Sequence, residues 1–310
     1  MKAIRIHGRG GPEHLVYEDA PQPHPGPEEV LVHVAATAVI VNELEWDLTY
    51  QSADGTPRPL PIPGHDFSGT VAEVGARVRD IAVGDAVYGL IAFGRDGAEA
   101  EYAIALPGEL APKPRTLDDV QAATVPLAAL TAWQALFTHG GLSRGQTVLI
   151  HGAAGGVGSY AVQFARWAGA RIVATASERH SDFLRGMGVD EIIDYATTHF
   201  EHVVHDVDLV FDTVGGDTLA RSWQVVKEGG VLVSVVSPPS KEQAPRSGVR
   251  FSWFVVEPNS EDLRQIGVLL DAGHIRPIIT QVFPLAEARR AYEEGLKGHA
   301  RGKIILQVQN

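Results

Sequence analysis

The 310-residue sequence contains no cysteine. Without thiols there is no disulfide, no thiolate nucleophile, no iron-sulfur cluster and no cysteine-ligated zinc. Cations are also scarce: 26 Lys and Arg stand against 38 Asp and Glu, which gives a formal net charge of −12. Such a balance repels the phosphate backbone of nucleic acids. The expected partner is therefore a small molecule or a protein, and nucleic acid is excluded.

Targeting and membrane signals are missing as well. The N-terminal segment MKAIRIHGRGGPEHL has no apolar core of the kind found in secretory signals. No apolar run approaches the ~20 residues of a membrane span. We therefore expect a soluble protein that stays in the cytoplasm and has no membrane partner.

The residues that are present predict an α/β protein of two domains. At about 150 residues per domain the length accommodates two, and a hydrophobic content of 45% is enough for two cores. Up to about residue 110, short strand-like segments alternate with Gly, Pro and Asp turns, at 2–7, 15–18, 30–36, 69–74, 85–90 and 98–105. From residue 117 apolar residues recur at helical spacing, and strands then alternate with helices, which is typical of a doubly wound parallel sheet. The strands predicted there lie at 146–151, 171–176, 191–193, 207–214, 231–236 and 250–256; a helix at 261–272, a strand at 278–283, a helix at 285–296 and a strand at 302–308 follow.

A glycine-rich turn lies between a predicted strand and a predicted helix, in the segment TVLIHGAAGGVGSYAVQFARWAGA. In this context the motif G-x-G-x-x-G indicates a dinucleotide-binding loop, although Ala153 replaces the first glycine. Gly155 lets the backbone approach a pyrophosphate, and Gly158 lets the helix pack close to the sheet. The helix N-terminus neutralises the phosphates. The cofactor-binding residues predicted here are Ala154, Gly155, Gly156, Val157 and Gly158.

The end of the next predicted strand, RIVATASER, favours NADPH over NADH. Ala176 stands where an acid would accept from the ribose 2′-hydroxyl of NAD. Ser177 and Arg179 instead provide a hydroxyl and a planar cation for a 2′-phosphate. Glu178 lies between them, and in an extended chain its side chain points away from both neighbours.

Taken together and in order, several segments resemble the medium-chain dehydrogenase/reductase superfamily, specifically the zinc-independent quinone oxidoreductase branch that includes zeta-crystallin. They are PIPGHDFSGTVAEVG at 61–75, GDAVYGL at 84–90, VPLAALTAWQAL at 125–136, the glycine loop with its flanks, and VFPLAEARRAYEEGLKGHARGKIILQV at 282–308. The resemblance implies a GroES-like catalytic domain at 1–124, completed by 271–310, and a Rossmann domain at 125–270. It also implies an active site in the cleft.

Related enzymes of this superfamily bind zinc, and His65 lies in the segment where those enzymes carry a ligand histidine. The two cysteines that such a site requires are absent, so we expect no metal and interpret His65 as a histidine at the end of a strand. His199, His202 and His205 are interpreted as a solvated face.

Without a Lewis acid to polarise a carbonyl, quinones and α,β-unsaturated carbonyls are the favoured hydride acceptors. The predicted reaction is hydride transfer from NADPH to a quinone or to the β-carbon of an enone. Two alternatives stay open: an enoyl-thioester reductase acting on a carrier-bound or natural-product intermediate, and a redox-inactive NADPH-binding protein with a structural or sensing role.

The segment AVIVNELEWDLTY occupies the place of an Asn-centred motif that lines the nicotinamide and the substrate in this family. Asn42 matches the asparagine and is predicted to bind the nicotinamide ribose or the substrate oxygen. Where the family has Asp and often Tyr, this chain has Glu45 and Asp47. Tyr50 is then the candidate acid or a surface tyrosine, and Trp46 is an aromatic wall for a flat substrate or a core residue.

The resemblance implies further contacts with the cofactor. Thr131 matches a threonine near the nicotinamide, and Tyr195 a residue near the adenine phosphate. The remaining predicted contacts are Val235, Phe254, Val255, Val256, Arg301 and Lys303. Two alternatives stay open: Lys303 as a solvated cation of the C-terminal strand, and Thr131 as a packed helix residue. A strand at 251–256 is suited to pairing with its copy in a second subunit, so a homodimer is expected. Acceptor specificity is assigned to the loops 46–56 and 237–248.

Overall fold

A computed structural model describes residues 1–52, 54–238, 248–298 and 301–309. The strands are β1 Lys2–Ile6, β2 Leu15–Asp19, β3 Val30–Ala38, β4 Asp66–Val74, β5 Ala86–Leu90, β6 Tyr102–Ala105, β7 Leu110–Pro112, β8 Thr147–His151, β9 Arg171–Ala176, β10 Glu191–Asp194, β11 Val207–Asp212, β12 Val226–Ser234, β13 Arg250–Trp253, β14 Ile279–Pro284 and β15 Lys303–Gln307. The α-helices are α1 Asp47–Tyr50, α2 Asp119–Ala122, α3 Pro126–Trp133, α4 Gly156–Ala168, α5 Ser181–Gly186, α6 Gly216–Ser222, α7 Ser260–Asp271 and α8 Ala288–Leu296. A π-helical stretch, Gln134–His139, continues α3.

The chain forms two compact units. Unit 1 comprises Met1–Leu127 and Glu257–Asn310, and unit 2 comprises Ala128–Val256. The predicted division differs at its second boundary, because α7 belongs to unit 1 and not to the second domain. It packs against β7, and the Tyr88 hydroxyl donates to the Leu263 carbonyl at 2.5 Å.

Unit 1 is built around a sheet with the strand order β14-β15-β3-β4-β5-β7, in which β6 also pairs with β3. Strand β3 is almost continuously apolar (VLVHVAATA) because it is central and has β4, β6 and β15 as neighbours. Helix α8 buries Ala288, Ala291 and Tyr292, which share one face at helical spacing. The C-terminal strand β15 pairs with β3, so residues from both ends of the sequence meet in one core.

Unit 2 contains a six-stranded parallel sheet in the order β10-β9-β8-β11-β12-β13. The predicted doubly wound parallel sheet is confirmed. Strand order reverses between β8 and β11, and in such sheets ligands bind outside the carboxyl ends of the strands at this point. The glycine loop follows β8 directly, so the topology places it at the expected binding edge.

Some predicted element boundaries are wrong. The strand predicted at 98–105 is shorter in the structure, where only β6 is a strand. Residues 98–101 instead form backbone hydrogen bonds with other segments; for example, the Ile4 N–H donates to the Glu99 carbonyl at 2.8 Å. The strand predicted at 250–256 ends at Trp253, and the helix predicted at 285–296 begins as a 3-10 turn, Leu285–Glu287. Residues 239–247 of the predicted specificity loop lie outside the described residues.

One stretch of the described chain, Asp119–His139, is long and apolar enough to cross a membrane by length and composition alone. The expectation that no apolar run reaches this length is therefore wrong. Most of the stretch is buried inside the protein, and core helices of soluble proteins meet the same criterion.

Candidate active site

The glycine loop turns sharply between β8 and α4. Gly152 has φ +68°, a left-handed conformation that favours glycine, whereas Ala153 is not among the residues with positive φ. A Cβ at Gly158 would lie 2.2 Å from the Gly152 carbonyl oxygen and 2.7 Å from the Ala153 Cα. Only glycine therefore fits at 158, where the helix start packs against the turn. Gly152 is the glycine that the motif interpretation missed.

Helix α4 begins at its N-cap, Gly155, without a side-chain cap. Its first turn comprises Gly156, Val157 and Gly158, and backbone N–H groups in a first turn have no partner within the helix. Together with the helix dipole they favour an anionic group. The uncapped helix start and the close approach at Gly158 fit a dinucleotide pyrophosphate.

Ser177 and Arg179 come together at the end of β9. The Arg179 Nε donates to the Ser177 Oγ at 3.1 Å, and the Arg179 side chain is exposed. The segment is a 3-10 turn, Glu178–His180, so the assumption of an extended chain is wrong. Glu178 is nevertheless directed elsewhere, because it accepts a hydrogen bond from Ser181 Oγ at 3.3 Å. The hydroxyl and the guanidinium are thus side by side.

Tyr195 lies beside this pair along the sheet edge. Its backbone N–H donates to the Ala176 carbonyl at 3.3 Å, and the residue is 63% exposed. The exposed Tyr195 follows β10, and its backbone is bonded to the last residue of β9. Its contact with the adenine phosphate stays a prediction.

The other predicted cofactor contacts of unit 2 occupy three places. The backbone N–H of Val235 follows β12 and donates to the Asp212 carbonyl at 3.2 Å. Phe254 is buried and stacks on the His139 ring with centroids 4.2 Å apart, while Val255 is 53% exposed and Val256 is buried. Thr131 is buried on α3.

The predicted catalytic segment of unit 1 forms a 3-10 turn, Val41–Glu45, followed by α1. Asn42 is exposed, and Trp46 packs edge-on against Phe93 at 5.2 Å between centroids. The Tyr50 hydroxyl donates to the Leu44 carbonyl at 2.7 Å, and the Arg9 guanidinium lies 4.5 Å above its ring. Burial raises the pKa of Tyr50. The Tyr50 hydroxyl proton is engaged in a hydrogen bond to Leu44, and its raised pKa makes it harder to release. Both observations argue against Tyr50 as the catalytic acid.

Among the buried ionisable side chains of unit 1 are six that sequence reasoning did not identify as a group. They are Glu43, His65, Asp66, Glu99, Tyr292 and Lys303.

Lys303 is the one predicted cofactor contact among these six residues. It is not a solvated cation: its Nζ lies 3.1 Å from Asp66 Oδ2 and donates to the Val39 carbonyl at 3.3 Å. Arg301, also a predicted cofactor contact, is exposed, and its carbonyl accepts from the Thr280 hydroxyl. Lys303 is thus one partner of a buried ion pair, and its contact with the cofactor stays a prediction.

The carboxyl groups in this set differ in their surroundings. Glu43 accepts from the Gly64 N–H at 2.9 Å and lies 3.1 Å from His65 Nε2. Glu99 accepts from the Tyr292 hydroxyl at 2.8 Å, and burial, together with the charge of Glu43, raises the pKa of Glu99 well above its usual range. Burial also raises the pKa of Asp66, although Lys303 opposes this shift. No local pattern in the sequence signals the set, because its members are spread over 260 residues.

The comparisons with known proteins cover parts of both units. The model of the alcohol dehydrogenase GroES-like domain matches residues 26–115, and the model of the zinc-binding dehydrogenase family matches residues 187–306. The chain is 35% identical to a probable zinc-binding mitochondrial oxidoreductase of Arthroderma benhamiae, over 95% of this chain and 93% of that protein. It is 33% identical to the 2-methylene-furan-3-one reductase of Solanum lycopersicum, over 90% and 71%. The structure of the quinone oxidoreductase from Coxiella burnetii superposes with a TM-score of 0.91 at 34% identity, covering 100% and 99%.

Zinc is named in one of these family descriptions, and the residues of this chain do not fit such a site. The sequence has no cysteine, and His65 Nε2 is already held by Glu43. The described part of the chain contains no group of three His, Asp or Glu side chains arranged to hold a metal. His199 and His202 have ring centroids 5.4 Å apart, and Arg221 donates to His199 Nδ1 at 3.3 Å, so this histidine is engaged at the surface.

Proposed function

The chain belongs to the medium-chain dehydrogenase/reductase superfamily, in its zeta-crystallin-like quinone oxidoreductase branch, and is an oxidoreductase; we propose that it uses NADPH to reduce a quinone or an α,β-unsaturated carbonyl. The observation that carries the cofactor choice is the Ser177–Arg179 pair at the end of β9, where Ala176 replaces an acid. A hydroxyl and a guanidinium in contact suit a 2′-phosphate, and a carboxylate there would repel it.

The pyrophosphate of this cofactor is assigned to the loop 152–158 and the first turn of α4. When bound, NADPH supplies a hydride. The close approach at Gly158 and the uncapped helix start position the phosphates. Tyr195, Val235 and Val255 are assigned to contacts with the rest of the cofactor. The exposure of Tyr195 and Val255 supports this assignment.

A quinone or enone acceptor is favoured because neither requires a metal. Hydride addition to the β-carbon of an enone places the charge on a distant oxygen, and a proton donor then completes the reduction. A curated relative at 33% identity is named as a reductase of a methylene-furanone, which is such a conjugated ketone. Asn42, exposed on its turn, is assigned to the substrate oxygen or the nicotinamide ribose.

Replacing Arg179 by alanine tests the cofactor assignment. Arg179→Ala is expected to weaken NADPH binding by about 1.5–3 kcal/mol, that is 10- to 100-fold, and to leave NADH binding almost unchanged, because a charge-assisted hydrogen bond to the 2′-phosphate is lost. Arg185→Ala is the matched control: Arg185 is an exposed arginine that pairs with Asp182 at 3.0 Å on the neighbouring helix. Fluorescence titration with both cofactors measures the effect. Equal loss for NADPH and NADH would contradict the assignment.

The substrate class is tested by following NADPH oxidation with a panel of quinones, enones and enoyl thioesters. Turnover of the first two classes is expected. Turnover confined to enoyl thioesters would favour a carrier-bound substrate. Tight NADPH binding without turnover of any acceptor would favour a redox-inactive binding protein.

Assembly and location remain proposals as well. Strand β13 is an edge strand of the parallel sheet, and Trp253 at its end is 44% exposed. An edge strand with an exposed aromatic residue is suited to pairing with a second copy, so we retain the homodimer, which sedimentation equilibrium tests. Residence in the cytoplasm stays a prediction, to be checked by fractionation.

A further inference from the structure

His65 has one ring nitrogen without a partner. The side chain is 2% exposed and follows Gly64 at the start of β4. Its Nε2 lies 3.1 Å from Glu43 Oε1, whereas Nδ1 is buried and has no hydrogen-bond partner among the described residues. A buried polar atom left unpaired costs about 1–3 kcal/mol. Because the unpaired Nδ1 destabilises the fold, its presence at a buried position requires a functional explanation.

Glu43 fixes the orientation of the ring. Its two carboxylate oxygens accept from the Gly64 N–H at 2.9 and 3.2 Å, and one of them also contacts His65 Nε2. The carboxylate thus contacts Nε2 and leaves Nδ1 as the open position of the imidazole. A carboxylate that orients a histidine by one nitrogen and stabilises its charged form is the arrangement found in acid-base pairs.

Other ionisable groups around His65 are already engaged. The Glu99 carboxyl accepts from the Tyr292 hydroxyl, and Asp66 is paired with Lys303. On the neighbouring turn and helix, the Tyr50 hydroxyl donates to Leu44, and the Asp47 carboxylate accepts from Arg9 at 2.7 Å. Glu45, on the same turn as Glu43, is exposed to solvent and is not part of the buried set.

An aromatic path connects His65 with the predicted substrate segment. The His65 ring packs edge-on against Phe93 with centroids 4.8 Å apart, and Phe93 packs in turn against Trp46 at 5.2 Å. Trp46 is partly exposed and lies four residues after Asn42. Apolar rings on this side of the imidazole restrict the entry of water and suit a flat, conjugated substrate.

We propose that His65, oriented by Glu43, is the catalytic acid that protonates the reduced substrate through Nδ1. The inference rests on the proposed function. The bound NADPH would supply the hydride, with breakage of one nicotinamide C–H bond; the hydride would bond to the β-carbon of the enone, and the electron pair of the C=C bond would move to the α-carbon and carbonyl oxygen. The Nδ1–H bond of the imidazolium then breaks, its proton bonds to the α-carbon, and its electrons remain on Nδ1. After the saturated ketone leaves, a proton from solvent restores the imidazolium of His65.

His65→Gln is the decisive variant, because the glutamine amide retains a hydrogen bond to Glu43 at the Nε2 position and removes Nδ1. We expect kcat for an enone to fall about 10²- to 10⁴-fold, with NADPH affinity unchanged. In D2O the wild type is expected to label the α-carbon of an α-methyl enone in one configuration, whereas the variant yields both. His33→Gln, at a histidine on β3 that stacks on Tyr102, is the matched control and keeps wild-type behaviour.

Glu43→Gln provides an independent check should His65→Gln not fold. It keeps the shape of the pair and removes the carboxylate that orients the ring of His65, so kcat for an enone is expected to fall. If the wild type is active and the folded variants show an unchanged rate and an unchanged label configuration, the role of His65 is overturned and the proposed function stands. If none of the quinones or enones supports NADPH oxidation by the wild type, both the role of His65 and the proposed function are overturned.

Discussion

The glycine loop of unit 2 and the buried polar set of unit 1 are organised in opposite ways. The loop takes its shape from seven consecutive residues, 152–158, whose backbone conformation is dictated by glycines. The polar set brings together side chains from the turn after β3, the start of β4, the segment before β6, helix α8 and strand β15. A backbone-defined site is therefore readable from a short motif, whereas a site made of buried side chains is visible only once the chain has folded.

The largest effect is expected where the polar set is broken. Lys303→Met would leave the Asp66 carboxylate, which is fully buried, without its cation. Removing one partner of a buried ion pair costs about 3–5 kcal/mol, so we expect a loss of that size in the free energy of unfolding. Urea unfolding followed by circular dichroism measures the loss.

The double variant Asp66→Asn, Lys303→Met separates charge from packing. It is expected to recover much of the lost stability, because no buried charge remains. If the single Lys303→Met variant were as stable as wild type, the buried ion pair would contribute little to the stability of unit 1. If Lys303→Met keeps full stability but loses NADPH binding, Lys303 contacts the cofactor.

A smaller effect is expected from His151, the last residue of β8 in unit 2. Its Nδ1 pairs with Thr175 Oγ1 at 2.9 Å and its Nε2 with Ser222 Oγ at 3.0 Å, and burial lowers the pKa of His151 from 6.5 to about 4. The folded state thus holds the imidazole neutral while the unfolded state takes up a proton, so stability is lost as pH falls from about 6.5 to about 4. One pKa unit corresponds to about 1.4 kcal/mol, which makes the full loss roughly 3 kcal/mol.

Urea titrations between pH 7 and 4, read by tryptophan fluorescence, measure this loss, since four of the five tryptophans lie in unit 2. His151→Gln removes the titrating group and is expected to flatten the pH dependence over this interval. An equally steep dependence in the variant would assign the titration to other residues.

The smallest effect on stability is expected from a substitution in the glycine loop, although the same substitution is expected to weaken NADPH binding strongly. Gly158→Ala places a Cβ 2.2 Å from the Gly152 carbonyl oxygen, and overpacking of this kind costs about 1–3 kcal/mol. The displaced helix start is expected to weaken NADPH binding at least tenfold. Gly186→Ala, at a position with no heavy atom within 4 Å of the added Cβ, is the control and keeps both properties. Unchanged NADPH binding in Gly158→Ala would disconnect the loop from the cofactor.

Sequence patterns predicted much of unit 2. The strand at 171–176 coincides with β9, and the glycine loop has the predicted position because strand, turn and helix are adjacent in the chain. Ser177 and Arg179 were predicted as a pair and lie in contact, even though the turn between them is not extended. Local hydrogen bonding and backbone conformation determine these features, and both depend on neighbouring residues.

Predictions in unit 1 were less successful for single side chains. Tyr50 was proposed as an acid, but its hydroxyl donates to Leu44; Lys303 was proposed as a cofactor contact, but it pairs with Asp66. A residue type and its position in a motif do not reveal which distant group will satisfy its hydrogen bonds. The boundary at α7 was missed for the same reason, because a helix after a parallel sheet carries no sign of the unit on which it packs.

The sequence by itself determined the exclusion of thiol chemistry, the α/β fold with its parallel sheet and the glycine loop, because composition, periodicity and turn glycines act locally. The tertiary structure alone decided that Glu43 and His65 form a buried pair with an open Nδ1, and that Lys303 neutralises Asp66. Burial converts ordinary polar residues into groups with strict hydrogen-bonding needs, and only the fold decides which residues are buried together.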